Sequence, residues 1–342
     1  MKAVSLVTLA RSCRYAARLV ALPFKGASGS DLRTTPALEG GRRLRGMLAG
    51  ALFVWLLQAV CFHSAAEAQS DVPKHPPEPS TYETSRGLAM GSGARAGATG
   101  SSAVAYNPAS LTAARVYHIE SNAQYFPDSD LWSIGGSAVD SITNSMAAGI
   151  AARGILGGED GTYTGYDLRL ALGLPVSNSI GLGVSGRYIR LRGDPQGDDV
   201  EDQGLKRLTL DASVQVNPTE NIHLAVLGYN LIRTDSSLAP QQVGGALAID
   251  AGGVFTLASD LLVDLTTFDS ARVLTGGGLE FLLGSSIPFR VGYRFDSGRD
   301  LHSVTGGLGY VDQAFGVDFS LRQDVTQESE TQLLVSIRYH VQ

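Results

Sequence analysis

Downstream of residue 68 the chain has five histidines, His75, His118, His223, His302 and His340, the side chains best suited to move a proton near neutral pH. A lipid-directed hydrolase would need one of them within hydrogen-bond reach of a serine or a carboxylate. Neither a Gly-x-Ser-x-Gly elbow nor a His-Glu-x-x-His pair accompanies them, so the expectation is that the protein is not an enzyme. The acidic run Asp194, Asp198, Asp199, Glu201 and Asp202 in GDPQGDDVEDQG offers oxygen ligands for divalent cations that bridge lipopolysaccharide, or is simply a solvated loop. Its spacing does not match a calcium loop. GSGARAG, residues 91–97, has the glycines of a phosphate cradle, but that cradle needs an apolar strand before it. Residues 69–86 are polar instead and include KHPPEP. No catalytic residue, metal or cofactor is expected.

With reactive groups this sparse, the informative signal is the element pattern. In QLLVSIRYHV, Leu333, Val335, Ile337, Tyr339 and Val341 alternate with Gln332, Leu334, Ser336, Arg338 and His340. A period of two places these sets on opposite faces of a strand, one mostly apolar and one mostly polar. The pattern recurs in 315–322, 289–296, 207–216 and 167–174. It predicts fourteen strands near 116–126, 131–140, 145–155, 163–175, 179–192, 205–216, 221–232, 243–257, 261–268, 274–283, 287–296, 301–311, 314–323 and 331–341. Many have the length of about ten residues that a tilted strand needs to cross a bilayer.

The connections fall into two sets. DSITN, VSN, NPTEN, ASD, GSS and DQ are short, whereas most of those between them are longer and more acidic. Short turns on one rim and longer loops on the other are the habit of bacterial outer-membrane barrels. The predicted fold class is therefore all-β: a transmembrane antiparallel β-barrel of about 14 strands over 116–342. Tyr117, Tyr125, Phe126, Tyr163, Tyr166, Tyr188, Phe268, Tyr310 and Tyr339 near strand ends suggest interfacial girdles. The charges Arg169, Arg207, Asp211, Asp264, Glu280, Arg290, Arg294, Asp318, Arg322 and Arg338 fall on the polar faces, which turn inward in a barrel. Both signs are present, so inter-strand ion pairs are expected there rather than a selectivity ring.

Residues 42–68 read as a signal peptide: Arg42, Arg43 and Arg45, then the apolar MLAGALFVWLLQAVCF, then an Ala-x-Ala site at Ala66 and Ala68. Residues 1–41 form an N-terminal extension of no evident role. Cleavage would remove nine of the 27 Lys and Arg and three of the 33 Asp and Glu, taking the formal charge from −6 to −12. Such acidity argues against nucleic acid as a partner. Cys13 and Cys61 would leave with the signal, so no disulfide is expected. The expected location is the outer membrane of a Gram-negative bacterium.

Residues 69–115 remain between the cleavage site and the first strand. They hold GLAMGSGARAGATGSSAVAYNPASL, residues 87–111, in which Leu88, Met90, Val104, Tyr106 and Leu111 interrupt the small residues with packing groups. A fourteen-strand lumen is too wide for wall side chains to fill. This segment is therefore read as a small N-terminal lumen plug, with Gly91 and Gly93 supplying a hinge and Asn107-Pro108-Ala109 a fixed turn.

This stretch, followed at once by a strand, resembles the N-terminal hatch of the outer-membrane long-chain fatty-acid transporters (FadL-like) and that of the related PorV-type barrels. Asn107, Pro108 and Ala109 match the Asn-Pro-Ala motif, whereas Ala103 to Tyr106 stand where an acidic run is common. The resemblance implies passive uptake of a hydrophobic small molecule such as a long-chain fatty acid, with entry from outside, an apolar pocket near the plug and lateral exit through the wall. Leu227 and Leu334, apolar on otherwise polar faces, are candidate pocket residues. The alternative is a PorV-like structural or shuttle barrel that binds partner proteins. Other expected partners are outer-membrane lipid and lipopolysaccharide and the barrel-assembly machinery.

Overall fold

The computed structural model describes residues 82–157, 163–192, 205–234, 236–326 and 330–341. The extension, the signal peptide, residues 69–81 and the acidic loop 193–204 lie outside them. Fourteen strands follow one another around a ring: β1 Tyr117–Phe126, β2 Leu131–Asp140, β3 Ala147–Gly157, β4 Tyr163–Pro175, β5 Ile180–Arg192, β6 Lys206–Thr219 and β7 Ile222–Tyr229 make one half. The other half is β8 Gln242–Ala251, β9 Phe255–Asp264, β10 Arg272–Leu283, β11 Ile287–Asp296, β12 Leu301–Val311, β13 Phe315–Asp324 and β14 Thr331–His340. Each pairs antiparallel with its sequence neighbours, and β14 closes on β1 from His118↔His340 to Tyr125↔Leu333.

The burial pattern is that of a soluble protein turned inside out. Val226 is 67% exposed and Leu208 64%, and Ile119, Ile150, Leu170, Leu308 and Ile337 also face outward, whereas the buried set is rich in Ser, Asp, Arg and Gln. Among the described residues no helix is long and apolar enough to cross a membrane, but the strands can cross instead. A closed ring satisfies every strand edge, the condition for a β structure in lipid, and the apolar belt is its lipid face. Aromatic pairs mark both margins of the belt. Tyr125 stacks on Trp132 at 4.3 Å and Tyr166 meets Tyr188 at 5.9 Å toward one rim. Tyr310 meets Phe315 at 5.6 Å and Phe255 meets Phe281 at 5.0 Å toward the other. Phe126 is not part of a girdle, because its ring is buried inside the lumen.

Two stretches of the ring, the β8–β9 hairpin and the end of β7, differ from expectation for identifiable reasons. The predicted turn ASD lies within β9, and the chain reverses at Gly252–Val254 instead. Gly252 and Gly253 have φ of 64° and 69°, the left-handed pair that a tight hairpin requires. Strand β7 stops at Tyr229 because Asn230 adopts φ 50°, from which the chain leaves as the segment 230–241. That segment continues the pairing along the part of β6 that extends past the end of β7: Leu231 N–H donates to the Leu210 carbonyl at 2.8 Å and Thr209 Oγ1 to that of Ile232 at 2.8 Å.

The plug fills the lumen. It consists of α1 (Ser85–Ala89), α2 (Ser101–Tyr106) and a 3-10 turn at Pro108–Thr112 that leads into β1. Thr84 Oγ1 caps α1 by accepting the Gly87 N–H at 3.3 Å. Two apolar contacts hold the plug to the wall. Val104, Tyr106 and Leu111 pack on Val139, Ala147 and Ala171, while Met90, Ala94 and Ala96 pack on Ala225, Leu227 and Ala248. Leu88, Met90 and Leu111 are almost completely buried, each worth ~1.5–3 kcal/mol relative to exposure.

Candidate functional site

The plug backbone meets the wall most closely where the wall has no side chains. Gly276, Gly278 and Gly292 on β10 and β11 face the Met90–Gly91 backbone; a Cβ added to Gly278 would lie 2.6 Å from the Met90 Cα. Gly173, Gly181 and Gly183 on β4 and β5 face Pro108 and Ala109; Cβ atoms on Gly173 and Gly181 would lie 2.8 Å from their respective carbonyl oxygens. These two patches are six strands apart in a ring of fourteen, so the plug is braced across nearly a full diameter. Gly91 and Gly93 are thus close-approach residues as they stand. Either one, given a side chain, would strike the backbone of Tyr293 or Gly276.

Polar groups complete the seating. Asn107 is fully buried and donates from Nδ2 to Gln215 Oε1 at 2.7 Å and to the Arg95 carbonyl at 3.1 Å. The Ala109 N–H donates to Ser213 Oγ at 2.9 Å. Pro108 begins the 3-10 turn, where its missing N–H costs nothing. The Tyr106 hydroxyl donates to Glu83 at 3.1 Å and accepts the Thr84 N–H at 2.8 Å. Burial first, then the Glu83 charge, hold that phenol well above its ordinary pKa, so it is a neutral donor.

The inward charges form two connected groups. In the first, Arg86 of α1 forks onto Glu280 at 3.0–3.2 Å, and Glu280 also takes Arg290, its cross-strand neighbour. Arg290 then reaches over β12 to Asp318 on β13. It can do so because β12 presents Gly307 and Gly309 there, beside Arg290 and Asp318 respectively. Asp318 accepts Arg338 at 2.9 Å, and Arg338 also donates to Glu120 at 2.9 Å. Signs alternate along the whole row. In the second group Asp167 takes Arg187 at 2.8 Å, Arg153 at 3.4 Å and Arg169 at 3.6 Å, and Arg169 also approaches Asp211 at 3.7 Å. The ring of Tyr82 lies 5.4 Å from the Arg153 guanidinium and 5.6 Å from that of Arg169. Two further pairs tie plug to wall: Arg95–Asp260 at 2.9 Å and Glu83–Arg322 at 3.5 Å.

Of the charges expected in the lumen, Arg169, Asp211, Glu280, Arg290, Asp318, Arg322 and Arg338 come together in these contacts. Arg207 shares the inward face of β6 but is exposed at the mouth, donating to the Lys206 carbonyl. Asp264 stands at the end of β9 and accepts the N–H groups of Thr266 and Thr267 at 3.0 Å, shaping a turn. Arg294 borders a small cavity between plug and wall. Leu227 packs against the plug and Leu334 is fully buried. Sequence reasoning missed Asp260, because the misplaced turn took it out of a strand. It also missed Glu83, Arg86 and Arg95, whose partners lie far away in the chain.

Toward the rim of longer loops, Phe126, Leu131, Ile155, Ile189, Leu191 and Leu205 form an apolar cluster inside the lumen, roofed by Leu238 and Ala239 of the segment 230–241. Beneath that roof is a cavity of about 60 Å³, lined by Tyr82, Arg95, Tyr106, Arg169, Arg187 and Tyr229 among others. The neighbouring cavity beside Asp260 holds about 40 Å³. Among the described residues no group of three or more His, Cys, Asp or Glu is arranged to hold a metal ion.

These features define a membrane-spanning β-barrel closed by its own N-terminal segment. No protein-family model matches the chain, and no curated protein matches it in sequence. Solved structures do match in fold. The toluene transporter TbuX of Ralstonia pickettii superposes with a TM-score of 0.55 at 12% identity, over 77% of this chain and 99% of that one. A Pseudomonas aeruginosa FadL homologue gives 0.55 at 11%, over 78% and 99%. The CymD monoaromatic hydrocarbon channel gives 0.53 at 14%, over 80% and 98%. The chain therefore has the fold of the FadL-like outer-membrane barrels.

Proposed function

We propose that the protein is an outer-membrane barrel for passive uptake of hydrophobic small molecules, with long-chain fatty acids as one candidate class. The observation that carries this reading is the apolar cluster at the outer mouth, set directly above a plug that blocks the lumen. Phe126, Ile155 and Ile189 are turned inward at the entrance and packed together under Leu238, so an apolar solute that parts them keeps apolar contacts, whereas a polar one gives up its hydration for nothing. The fold likeness to transporters of toluene and other monoaromatic hydrocarbons supports the same reading. In the seated state the cavity below the roof is far smaller than the roughly 150 Å³ that holds a benzene molecule. Passage therefore requires the plug or the segment 230–241 to move.

The lateral exit implied by the resemblance has no open counterpart among the described residues. Pairing between β2 and β3 is unbroken from Leu131↔Gly157 to Asp140↔Ala148, and the one register shift in the ring lies between β6 and β7 near Val216 and Thr219.

The test is uptake of radiolabelled toluene and oleate by cells that express the protein in place of their own hydrophobic-uptake barrel, with native mass spectrometry of the purified barrel alongside. Faster uptake of either probe, or a bound apolar molecule, is the expected result. Unchanged uptake together with an empty lumen and a copurifying protein would overturn it in favour of the partner-binding alternative.

A further inference from the structure

The helix α2 has an unusual start. Its N-cap residue, Gly100, has no side chain to accept a first-turn N–H. The acceptor comes from the barrel wall instead: the Ser101 N–H donates to Nε2 of His118 on β1 at 3.0 Å, and Ser101 Oγ lies 2.8 Å from the same nitrogen. A backbone N–H can only donate. Nε2 must therefore carry a free lone pair, and the ring's proton must sit on Nδ1. Gly100 has φ 54°, and a Cβ there would run into the His118 ring, so glycine is what lets the imidazole reach the helix end.

While the plug is seated, the surroundings oppose a second proton on that ring. From β14 come the Arg338 guanidinium and His340, whose ring meets that of His118 edge-on at 5.6 Å. Glu120 on the same strand and Asp318 on β13 are both engaged by Arg338. Asp312, in the β12–β13 turn, acts on His340. Strand β2 presents Ser137 and Val139, and α2 itself, SSAVAY, carries no charge. A protonated Nε2 would point its hydrogen at the Ser101 N–H, at the positive end of the helix and beside two cationic or protonatable side chains.

We propose that His118 is a proton-controlled latch on the plug. As a neutral imidazole it caps α2 from the wall. When protonated it loses the Ser101 bond and repels the helix end, which unseats this part of the plug. Release takes up a proton, so it is favoured as pH falls. The latch concerns the plug alone and holds whatever the transported molecule is.

The experiment is ion conductance of the purified full-length barrel in planar bilayers between pH 8 and pH 4. His118→Gln replaces Nε2 with an amide oxygen that accepts the same bond and takes up no proton in this range. Wild-type conductance is expected to rise by about tenfold on acidification, the population shift that loss of one buried hydrogen bond produces. His118→Gln is expected to stay low throughout, and His118→Ala to conduct at every pH. A flat wild-type profile would overturn the proposal. So would a parallel rise in His118→Gln, which would assign release to another plug–wall contact such as Arg95–Asp260. A closed His118→Ala channel at pH 8 would remove the capping role. Heat-modifiable migration on gels establishes beforehand that each variant is folded.

Discussion

Gly183 of β5 and Ala109 of the plug meet backbone to backbone, with no room between them for a methyl group. Gly183→Val is therefore expected to push the 3-10 turn off its seat at an overpacking cost of about 1–3 kcal/mol. Single-channel recording should show a raised basal conductance with the barrel still folded. Gly186→Val on the same strand, where nothing lies within 4 Å of an added Cβ, is the matched control and should leave conductance unchanged.

Glu280 lies between the guanidinium groups of Arg86 and Arg290. Glu280→Ala leaves both cations buried with one carboxylate fewer and is expected to cost about 3–5 kcal/mol in thermal unfolding followed by circular dichroism. Adding Arg86→Met should recover much of that loss, because one orphaned charge is then removed. An additive double mutant would mean that the two groups are not coupled.

Phe126 is the largest side chain of the buried apolar cluster at the mouth. Under the uptake reading, Phe126→Ala should weaken binding of a fluorescent fatty acid by about five- to thirtyfold, as 1–2 kcal/mol of lost contact implies. Basal ion conductance should not change, because the plug is untouched. Unaltered probe affinity would separate the cluster from any binding role.

Asp312 gives a pH dependence outside the membrane. Its carboxylate accepts the N–H groups of Phe315 at 2.8 Å and Ala314 at 2.7 Å, and these bonds, the first being the stronger influence, hold it below its ordinary pKa. A depressed carboxylate stabilises the fold above its unfolded pKa and loses that contribution as pH falls through the folded value. The difference in melting temperature between wild type and Asp312→Asn should therefore be present at pH 6 and shrink steadily toward pH 2. A difference that stays constant over this range would mean that the charge is irrelevant.

Most of the ring was legible because its physics is periodic. Strands β2, β4, β11 and β12 have the bounds that the alternation of Phe289, Val291, Tyr293 and Phe295 and its counterparts predicts. The β8–β9 hairpin was misread where two signals competed: Ala258-Ser259-Asp260 is polar and turn-like, but only Gly252-Gly253 takes the left-handed conformation at no steric cost. The plug was legible from its position and from Leu88, Met90 and Leu111 among small residues. Its seats were not. Gly173, Gly183, Gly276 and Gly278 look in sequence like weaknesses in strands, and only the approach of another backbone shows why they lack side chains. His118 reads as one polar residue in an alternation, and nothing local shows that its ring ends a helix seventeen residues upstream.

Arg338 lies on the strand that closes the ring, between a carboxylate of the first strand and one of the thirteenth. A slip of one residue at this junction would turn apolar side chains into the lumen, and hydrophobicity alone forbids it. A slip of two would keep every side chain on its proper face, so hydrophobicity cannot detect it. It would, however, set Arg338 opposite His118 or Asn122 and strand Glu120 in a buried site without its cation. The junction thus proofreads itself by charge where greasiness is blind, and a single arginine discriminates the correct closure from its nearest allowed error.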